Sequence, residues 1–127
     1  MKGVCVGFAI CFDLRFSEHF RKLAKRGAEV IFVPSNFLHE TGKAHWHTLL
    51  RTRAIENQVF IVAPAQVGMN LSTRSKSYGH SLIVDPWGKI LAEGSGSKTE
   101  AVVADLDLDY LRALRRRFPL LKNAGSA

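Results

Sequence analysis

Cys11 lies where an apolar run gives way to charged residues, and its thiol is the reactive group that the sequence places at a structural boundary. The run over residues 3–10 predicts a buried β-strand, and the apolar residues after Asp13 recur at helical spacing. A thiol at such a strand-to-helix turn faces unpaired N–H groups and the positive end of the helix dipole, which stabilise a thiolate or an oxyanion. The sequence therefore predicts a cysteine nucleophile, with a small buried core residue as the alternative.

The segment around this cysteine, residues 10–18, resembles the nucleophile motif of the nitrilase superfamily, the carbon–nitrogen hydrolases. Further segments resemble later loops, helices and strand ends of the family in the same order, and they are closest to its Nit branch of small amidases. These segments are residues 34–37, 41–46, 50–58, 65–68, 78–81 and 84–88. The chain departs from the branch pattern, in which Tyr, Pro, Ala and Glu are usual, at Phe12, Ser17, Asn36 and His47. These departures bear on the substrate rather than on the family.

The resemblance implies a covalent mechanism that needs no cofactor. Cys11 would attack the carbon of an amide or nitrile, and the backbone N–H of Phe12 would help to hold the oxyanion. Ammonia would then leave, and water would resolve the thioester. The expected substrate is a small-molecule amide that carries a carboxylate, as for an omega-amidase or a deaminated-glutathione amidase. The expected assembly is a homo-oligomer.

The family also uses a glutamate base and a lysine, both of which come from segments that precede the cysteine motif. Ten residues precede Cys11 here, and they contain Lys2 but no carboxylate. The resemblance therefore assigns residues 1–127 to a single carbon–nitrogen hydrolase domain that is truncated at its N-terminus and corresponds to the C-terminal half. We expect turnover by this chain alone to be impaired. The alternative is an inactive fragment that acts only in association with a complete subunit.

Four further residues are candidates for substrate binding: Arg15, Asn36, Phe37 and Thr41. Arg15 could hold a substrate carboxylate in a bidentate pair. It could equally form a structural ion pair with Asp13 or Glu18. Asn36 and Phe37 follow the second predicted strand, where open α/β sheets bind their ligands.

Three histidines, His39, His45 and His47, are close in sequence and could suggest a metal site. No cysteine or nearby carboxylate completes a ligand set in the sequence, so we expect a structural role and no metal. Arg53 and Glu56 have the spacing of an ion pair on a helix surface.

Composition limits the other classes of function. The chain of 127 residues is 46% hydrophobic and has a formal net charge of +7. A basic nucleic-acid-binding module is therefore an alternative, but the cations are dispersed over three predicted helices, which favours solvated faces. Cys5 and Cys11 are about 20 Å apart on an extended strand, so no disulfide is expected and a reducing, cytoplasmic location is predicted. No apolar run reaches the ~20 residues that span a bilayer.

The overall pattern predicts an α/β fold with a mixed sheet and helices on one side. Strand, helix and strand over residues 3–33 predict a parallel crossover, and residues 85–88 predict a hairpin turn. The resemblance implies that this sheet is part of an αββα sandwich. The remaining predictions are a loop over residues 36–44, a helix after it, a strand over 59–63, a surface loop over 68–79, a strand over 101–106 and a last helix from near Asp107 to Arg117.

Overall fold

The computed structural model describes residues 3–125, so Lys2 lies outside the described part of the chain. Within this range a 3₁₀-helical turn over Cys11–Arg15, here called the cysteine turn, follows the first strand. The strands are β1 (Val6–Phe8), β2 (Val30–Phe32), β3 (Phe60–Ala63), β4 (Val67–Asn70), β5 (Ser75–Tyr78), β6 (Leu82–Val84) and β7 (Ile90–Glu93). The helices are α1 (Ser17–Lys25), α2 (His39–Asn57) and α3 (Leu108–Arg117).

Five of the strands form one mixed sheet in the order β1-β2-β3-β6-β7. β1, β2 and β3 are parallel, and β6 and β7 continue the sheet in antiparallel pairing. The predicted hairpin is confirmed, because the Asp85 carboxylate accepts hydrogen bonds from the N–H groups of Trp87 and Lys89. The α/β class with a mixed sheet is confirmed as well.

Alternation along the strands sends side chains into two layers. Ile31 and Ile61 pack into the core beneath α1 and α2, whereas Val30 and Phe60 pack with Leu111 of α3. Helices therefore cover both faces of the sheet, and the prediction of helices on one side is wrong. The physical reason is that the central strands are apolar at consecutive positions, so both faces need a cover.

β1 is an edge strand of the described sheet, although a central strand covered on both faces is predicted. Gly7 and Ala9 are buried beneath α1, but Phe8 points to the opposite face, is 64% exposed and stacks on Phe32 at 5.7 Å between ring centroids. An unbroken apolar run indicates apolar surroundings on both faces without saying what supplies them. The position of β1 in the sheet therefore could not be derived from its composition.

α2 begins at His39, inside the segment that is predicted to be a loop. Thr41 and Gly42 are typical of a loop, but Gly42 has a packing role here. A Cβ atom at residue 42 would lie 2.4 Å from atoms of the Tyr78 side chain. Glycine therefore makes room for an aromatic ring in the first turns of the helix, and this packing outweighs its low helix propensity.

Two other predictions of local structure are wrong. The segment predicted as a surface loop over residues 68–79 contains the antiparallel pair β4 and β5, with Val67 opposite Tyr78. Its side chains are mostly polar and exposed, which hides the alternation typical of strands. Residues 101–106 alternate between exposed and half-buried side chains but join no ladder within residues 3–125. Alternation reports burial of one side of a chain, and it does not report pairing.

α3 follows the predicted course. The Asp107 carboxylate caps its first turn by accepting a hydrogen bond from the Tyr110 N–H at 3.0 Å. Leu111 and Leu114 are buried and Phe118 is half exposed, so two members of the predicted apolar stripe face the protein. Across residues 3–125, no helix combines the length and apolar character that crossing a membrane requires.

Candidate active site

Cys11 occupies a constrained backbone position directly after β1. It is the first residue of the cysteine turn and has a φ of 47°. A left-handed conformation costs a non-glycine residue about 1–2 kcal/mol, so the surrounding contacts must hold it. The Cys11 N–H donates to the Pro34 carbonyl at 3.0 Å, and the Asp13 carboxylate accepts from the Ile10 N–H at 2.9 Å. These bonds fix the turn on both sides of the thiol.

The thiol is half-buried and lies beside two backbone groups. Its Sγ donates to the Asn36 carbonyl at 3.6 Å, which ties it to the segment after β2. The Phe12 N–H has no acceptor among the described residues, as is typical of the first turn of a helix. An unpaired N–H next to a thiol is the arrangement that stabilises an oxyanion.

Cys5 differs from Cys11 in both position and exposure. It precedes β1 rather than lying inside a strand, and its side chain is exposed. The prediction that Cys5 lies in mid-strand is therefore wrong. Both cysteines are free thiols.

Cys11 lines an open depression of about 560 Å³ at the carboxyl ends of three parallel strands. Residues after β1, β2 and β3 meet there because the ladders continue past the strands, with the Ser35 N–H donating to the Pro64 carbonyl at 2.9 Å. This is the edge at which open α/β sheets bind ligands. The lining residues are Ile10, Cys11, Pro34, Ser35, Asn36, Pro64, Ala65, Gln66, Ser81 and Glu100.

Glu100 is the acid that sequence reasoning missed at this site. Its carboxylate accepts a hydrogen bond from the Ser95 N–H, and this bond lowers the pKa of Glu100, so the group is ionised at neutral pH. No sequence signal connects residue 100 with residue 11, since the segment carrying it belongs to no strand. Ser35 and Gln66 could have been found, because each follows a predicted strand.

The acids nearest to Cys11 in sequence lie elsewhere. Glu18 and Glu56 line a separate surface pocket, and Glu40 is exposed on α2. The predicted pair between Arg53 and Glu56 is confirmed at 3.5 Å. Buried Arg53 also donates to the Leu14 carbonyl at 3.1 Å, so α2 holds the cysteine turn in place.

Arg15 lies beside the cysteine turn and forms neither of the predicted ion pairs. Its guanidinium lies 5.7 Å from the Phe12 ring centroid and 5.2 Å from that of Phe37. Its Nη1 donates to Nδ1 of His45 at 3.2 Å. In this structure no carboxylate occupies its fork, and substrate binding by Arg15 stays a prediction.

The other three predicted substrate contacts separate in space. Asn36 lines the depression with Cys11, and its Oδ1 accepts a hydrogen bond from the Ser77 hydroxyl at 2.6 Å. Phe37 is 6% exposed and packs on Trp46 at 4.9 Å between ring centroids. Thr41 lies on α2, where its hydroxyl donates to the Leu38 carbonyl at 3.3 Å. Of the three, Asn36 is thus in the same depression as the thiol.

The argument that no carboxylate lies near the histidines is wrong for His47. The fold brings Glu93 to its ring, with 2.9 Å between Nε2 and Oε2, and His80 approaches the same oxygen at 3.0 Å. Burial raises the pKa of Glu93, but the hydrogen bonds from both imidazoles outweigh it and leave that pKa below its ordinary value.

A thiol on a strained turn, above the carboxyl ends of parallel strands and beside an unpaired N–H, is the geometry of a nucleophile in an α/β hydrolase. The chain belongs to the carbon–nitrogen hydrolase family, whose sequence profile matches residues 1–116. This agrees with the resemblance found in the motifs.

Individual relatives agree with this membership. The chain is 45% identical to a deaminated glutathione amidase of Dictyostelium discoideum over 93% of this chain and 40% of that protein. The crystal structure of the C. elegans NitFhit protein superposes with a TM-score of 0.87 and 46% identity, covering 92% of this chain and 28% of that one. An amidase from Nesterenkonia sp. AN1, with acrylamide added at its active site cysteine, gives a TM-score of 0.74 at 30% identity over 98% of this chain and 47% of that one. The chain therefore spans less than half the length of each of these proteins.

Proposed function

We propose that this chain supplies the nucleophile of an amidase that cleaves the C–N bond of a small carboxylate-bearing amide. The observation that carries the proposal is the backbone of Cys11, whose φ of 47° places a thiol at a ligand-binding sheet edge. The related Nesterenkonia amidase carries its adduct on an active site cysteine, which supports the same role for Cys11. The name of the Dictyostelium relative supports an amide of the deaminated-glutathione or omega-amidase type.

The proposed reaction has two covalent steps. The Cys11 thiolate forms a C–S bond with the amide carbon, and the carbonyl electron pair moves to oxygen, where the Phe12 N–H donates to it. Collapse of this intermediate breaks the C–N bond and releases ammonia, which takes up a proton. Water then attacks the thioester, so that the carboxylic acid and the free thiol of Cys11 are formed.

Proton transfer is the step for which these 127 residues offer least. The family resemblance assigns it to a glutamate and assigns oxyanion stabilisation to a lysine as well. Among the described residues that line the depression, Glu100 is the one carboxylate and no lysine is present. Loss of a single oxyanion donor costs ~100-fold or more in rate. We therefore propose that the 127-residue polypeptide by itself turns over slowly.

Arg15 is the proposed partner of the substrate carboxylate. It lies four residues after the nucleophile, and its guanidinium is stacked on aromatic rings rather than paired with an acid. Stacking leaves the planar N–H fork available for a bidentate carboxylate.

The test uses acrylamide, the reagent that modifies the Nesterenkonia amidase, on the folded chain. Peptide mass spectrometry measures the rates of modification at Cys11 and Cys5, with and without an excess of a short dicarboxylic-acid monoamide. We expect the monoamide to protect Cys11 and to leave the exposed Cys5 unchanged. Cys5 is thus the internal control, because its exposure alone makes it react. Equal protection of both thiols, or of neither, would contradict the proposal.

Ammonia release from the same monoamides tests the turnover separately, with Cys11→Ala as the control. We expect a rate far below the ordinary enzymatic value of ~1 per second or faster. Turnover at that ordinary rate, abolished in Cys11→Ala, would show that the 127 residues contain a complete proton-transfer system.

A further inference from the structure

Three metal-ligating side chains converge on the surface away from the Cys11 depression. They come from separate elements: His47 from α2, His80 from the turn between β5 and β6, and Glu93 from the end of β7. None of the three lines the depression that contains the thiol. This cluster has no part in the amidase chemistry described above.

The distances within this cluster match the edges of a metal coordination shell. Oε2 of Glu93 lies 2.9 Å from Nε2 of His47 and 3.0 Å from Nδ1 of His80. One atom of each residue lies within 4.8 Å of the other two. Zn²⁺ bonds of about 2.0–2.2 Å place tetrahedral ligand atoms roughly 3.3 Å apart. A small outward movement of the side chains would therefore admit the ion.

The rings are already held by groups outside the ligand set. Tyr78 packs on His80 at 4.3 Å between ring centroids, and its hydroxyl lies 3.5 Å from Nδ1 of His47. This hydroxyl can accept the Nδ1 proton when Nε2 binds a metal, which is the usual outer-shell support of a histidine ligand. The indole of Trp46 donates to the His80 carbonyl at 2.8 Å and fixes that backbone.

Charge and access also suit a cation. The Glu93 carboxylate with two neutral imidazoles gives the cluster one negative charge. About a third of each side chain is exposed, with values of 30% for His47, 29% for His80 and 35% for Glu93. Solvent can therefore deliver an ion and supply the remaining ligand. Two imidazoles and a carboxylate form one of the ligand sets that zinc takes in proteins.

We propose that His47, His80 and Glu93 form a binding site for Zn²⁺ or a chemically similar divalent transition-metal ion. The ion would link α2 to the β6–β7 hairpin. The alternative is a cluster held only by hydrogen bonds, in which both imidazoles donate to Glu93.

Competition with a chromogenic chelator measures the affinity for Zn²⁺. Both thiols of the chain are first alkylated, because Cys5 and Cys11 are competing ligands. We expect one Zn²⁺ per chain in the wild type. His47→Gln and Glu93→Gln should each weaken binding by at least about tenfold, since loss of even an outer-shell partner costs 10–100-fold. The matched control is His39→Gln, which removes an exposed histidine of the same helix outside the ligand set and should leave the affinity unchanged.

Thermal unfolding gives a second measurement. Zn²⁺ should raise the unfolding midpoint of the wild type and of His39→Gln, but not that of Glu93→Gln, because an ion that binds the folded state stabilises it. Glu93→Gln keeps an oxygen for the imidazoles, so it carries the test if His47→Gln fails to fold. Lack of saturable binding by the wild type would overturn the proposal. Equal affinity in the wild type and Glu93→Gln would overturn it as well.

Discussion

At the scale of single residues, Cys11 combines a strained backbone with a reactive side chain. Its φ of 47° would suit glycine, yet the position carries a thiol. Strain at a reactive residue is common, because the same turn that strains the backbone lifts the side chain out of the sheet. In this view the chain sacrifices stability at residue 11 to present the thiol at the sheet edge.

The strain can be measured with two inactive variants. We expect Cys11→Gly to be more stable than Cys11→Ala by about 1 kcal/mol, because glycine adopts positive φ without the Cβ penalty. Urea denaturation of both variants gives the difference in the free energy of unfolding. At an ordinary position glycine is the less stable of the two by roughly 0.5–1 kcal/mol. That opposite order would show that residue 11 is not strained in solution.

At the scale of elements, α3 is fastened by its arginines to the amino ends of the parallel strands. Arg112 donates to the Glu29 carboxylate at 2.7 Å. Arg115 donates to the carbonyls of Gln58 and Ala28 at 3.0 and 2.7 Å. These two cations therefore have protein partners, which supports a structural role for the helix. That the chain does not bind nucleic acid stays a prediction, and it would be wrong if binding were tight and steeply dependent on salt.

The pair between Arg112 and Glu29 makes stability depend on pH. The hydrogen bond from Arg112 lowers the pKa of Glu29 in the folded protein below its ordinary value of 4.5. The charged carboxylate therefore adds stability above that value, and this contribution is lost as the pH falls through the lower folded pKa. We expect Arg112→Gln to lower the urea midpoint at pH 7 and to have a much smaller effect near pH 3.

The control for this prediction is Arg116→Gln, which removes an exposed cation from the same helix. It should change the urea midpoint little at either pH, since exposed charges contribute little to stability. An effect of Arg112→Gln that is equally large at both values of pH would contradict the role of the Glu29 charge.

At the scale of the whole molecule, a patch of the sheet remains uncovered beyond α3. Phe8 is 64% exposed, and Phe32, Val62 and Leu91 beside it are only partly buried. Apolar surface of this kind usually marks a contact with another chain. It supports the homo-oligomer that the family resemblance implies, which stays a proposal for this chain.

Sedimentation velocity at rising protein concentration tests this self-association. We expect the wild type to associate and Phe8→Ser to shift the equilibrium toward the monomer. Leu71→Ser is the matched control, because Leu71 is 87% exposed on the β4–β5 connection, away from the patch. A wild type that stays monomeric would contradict the prediction. An equal shift in both variants would show that general hydrophobicity, rather than this patch, drives association.

Local sequence determined the features that depend on near neighbours. The strand-to-helix turn at Cys11, the hairpin at residues 85–88 and the cap at Asp107 were predictable because turns and caps need particular residues at fixed spacing. The parallel start of the sheet followed from strand, helix and strand in succession. The family was predictable from the motifs that resemble it.

Only the tertiary structure decided which distant residues meet. Glu100 joins Cys11 in one depression, Glu93 joins His47 and His80, and Tyr78 packs where Gly42 leaves room. Periodicity reports which side of a segment is buried, but it carries no information about the partner that buries it. Contacts between residues far apart in sequence depend on how the sheet orders its strands and how the helices pack across it. For that reason the sequence identified the thiol, and the fold alone identified its surroundings.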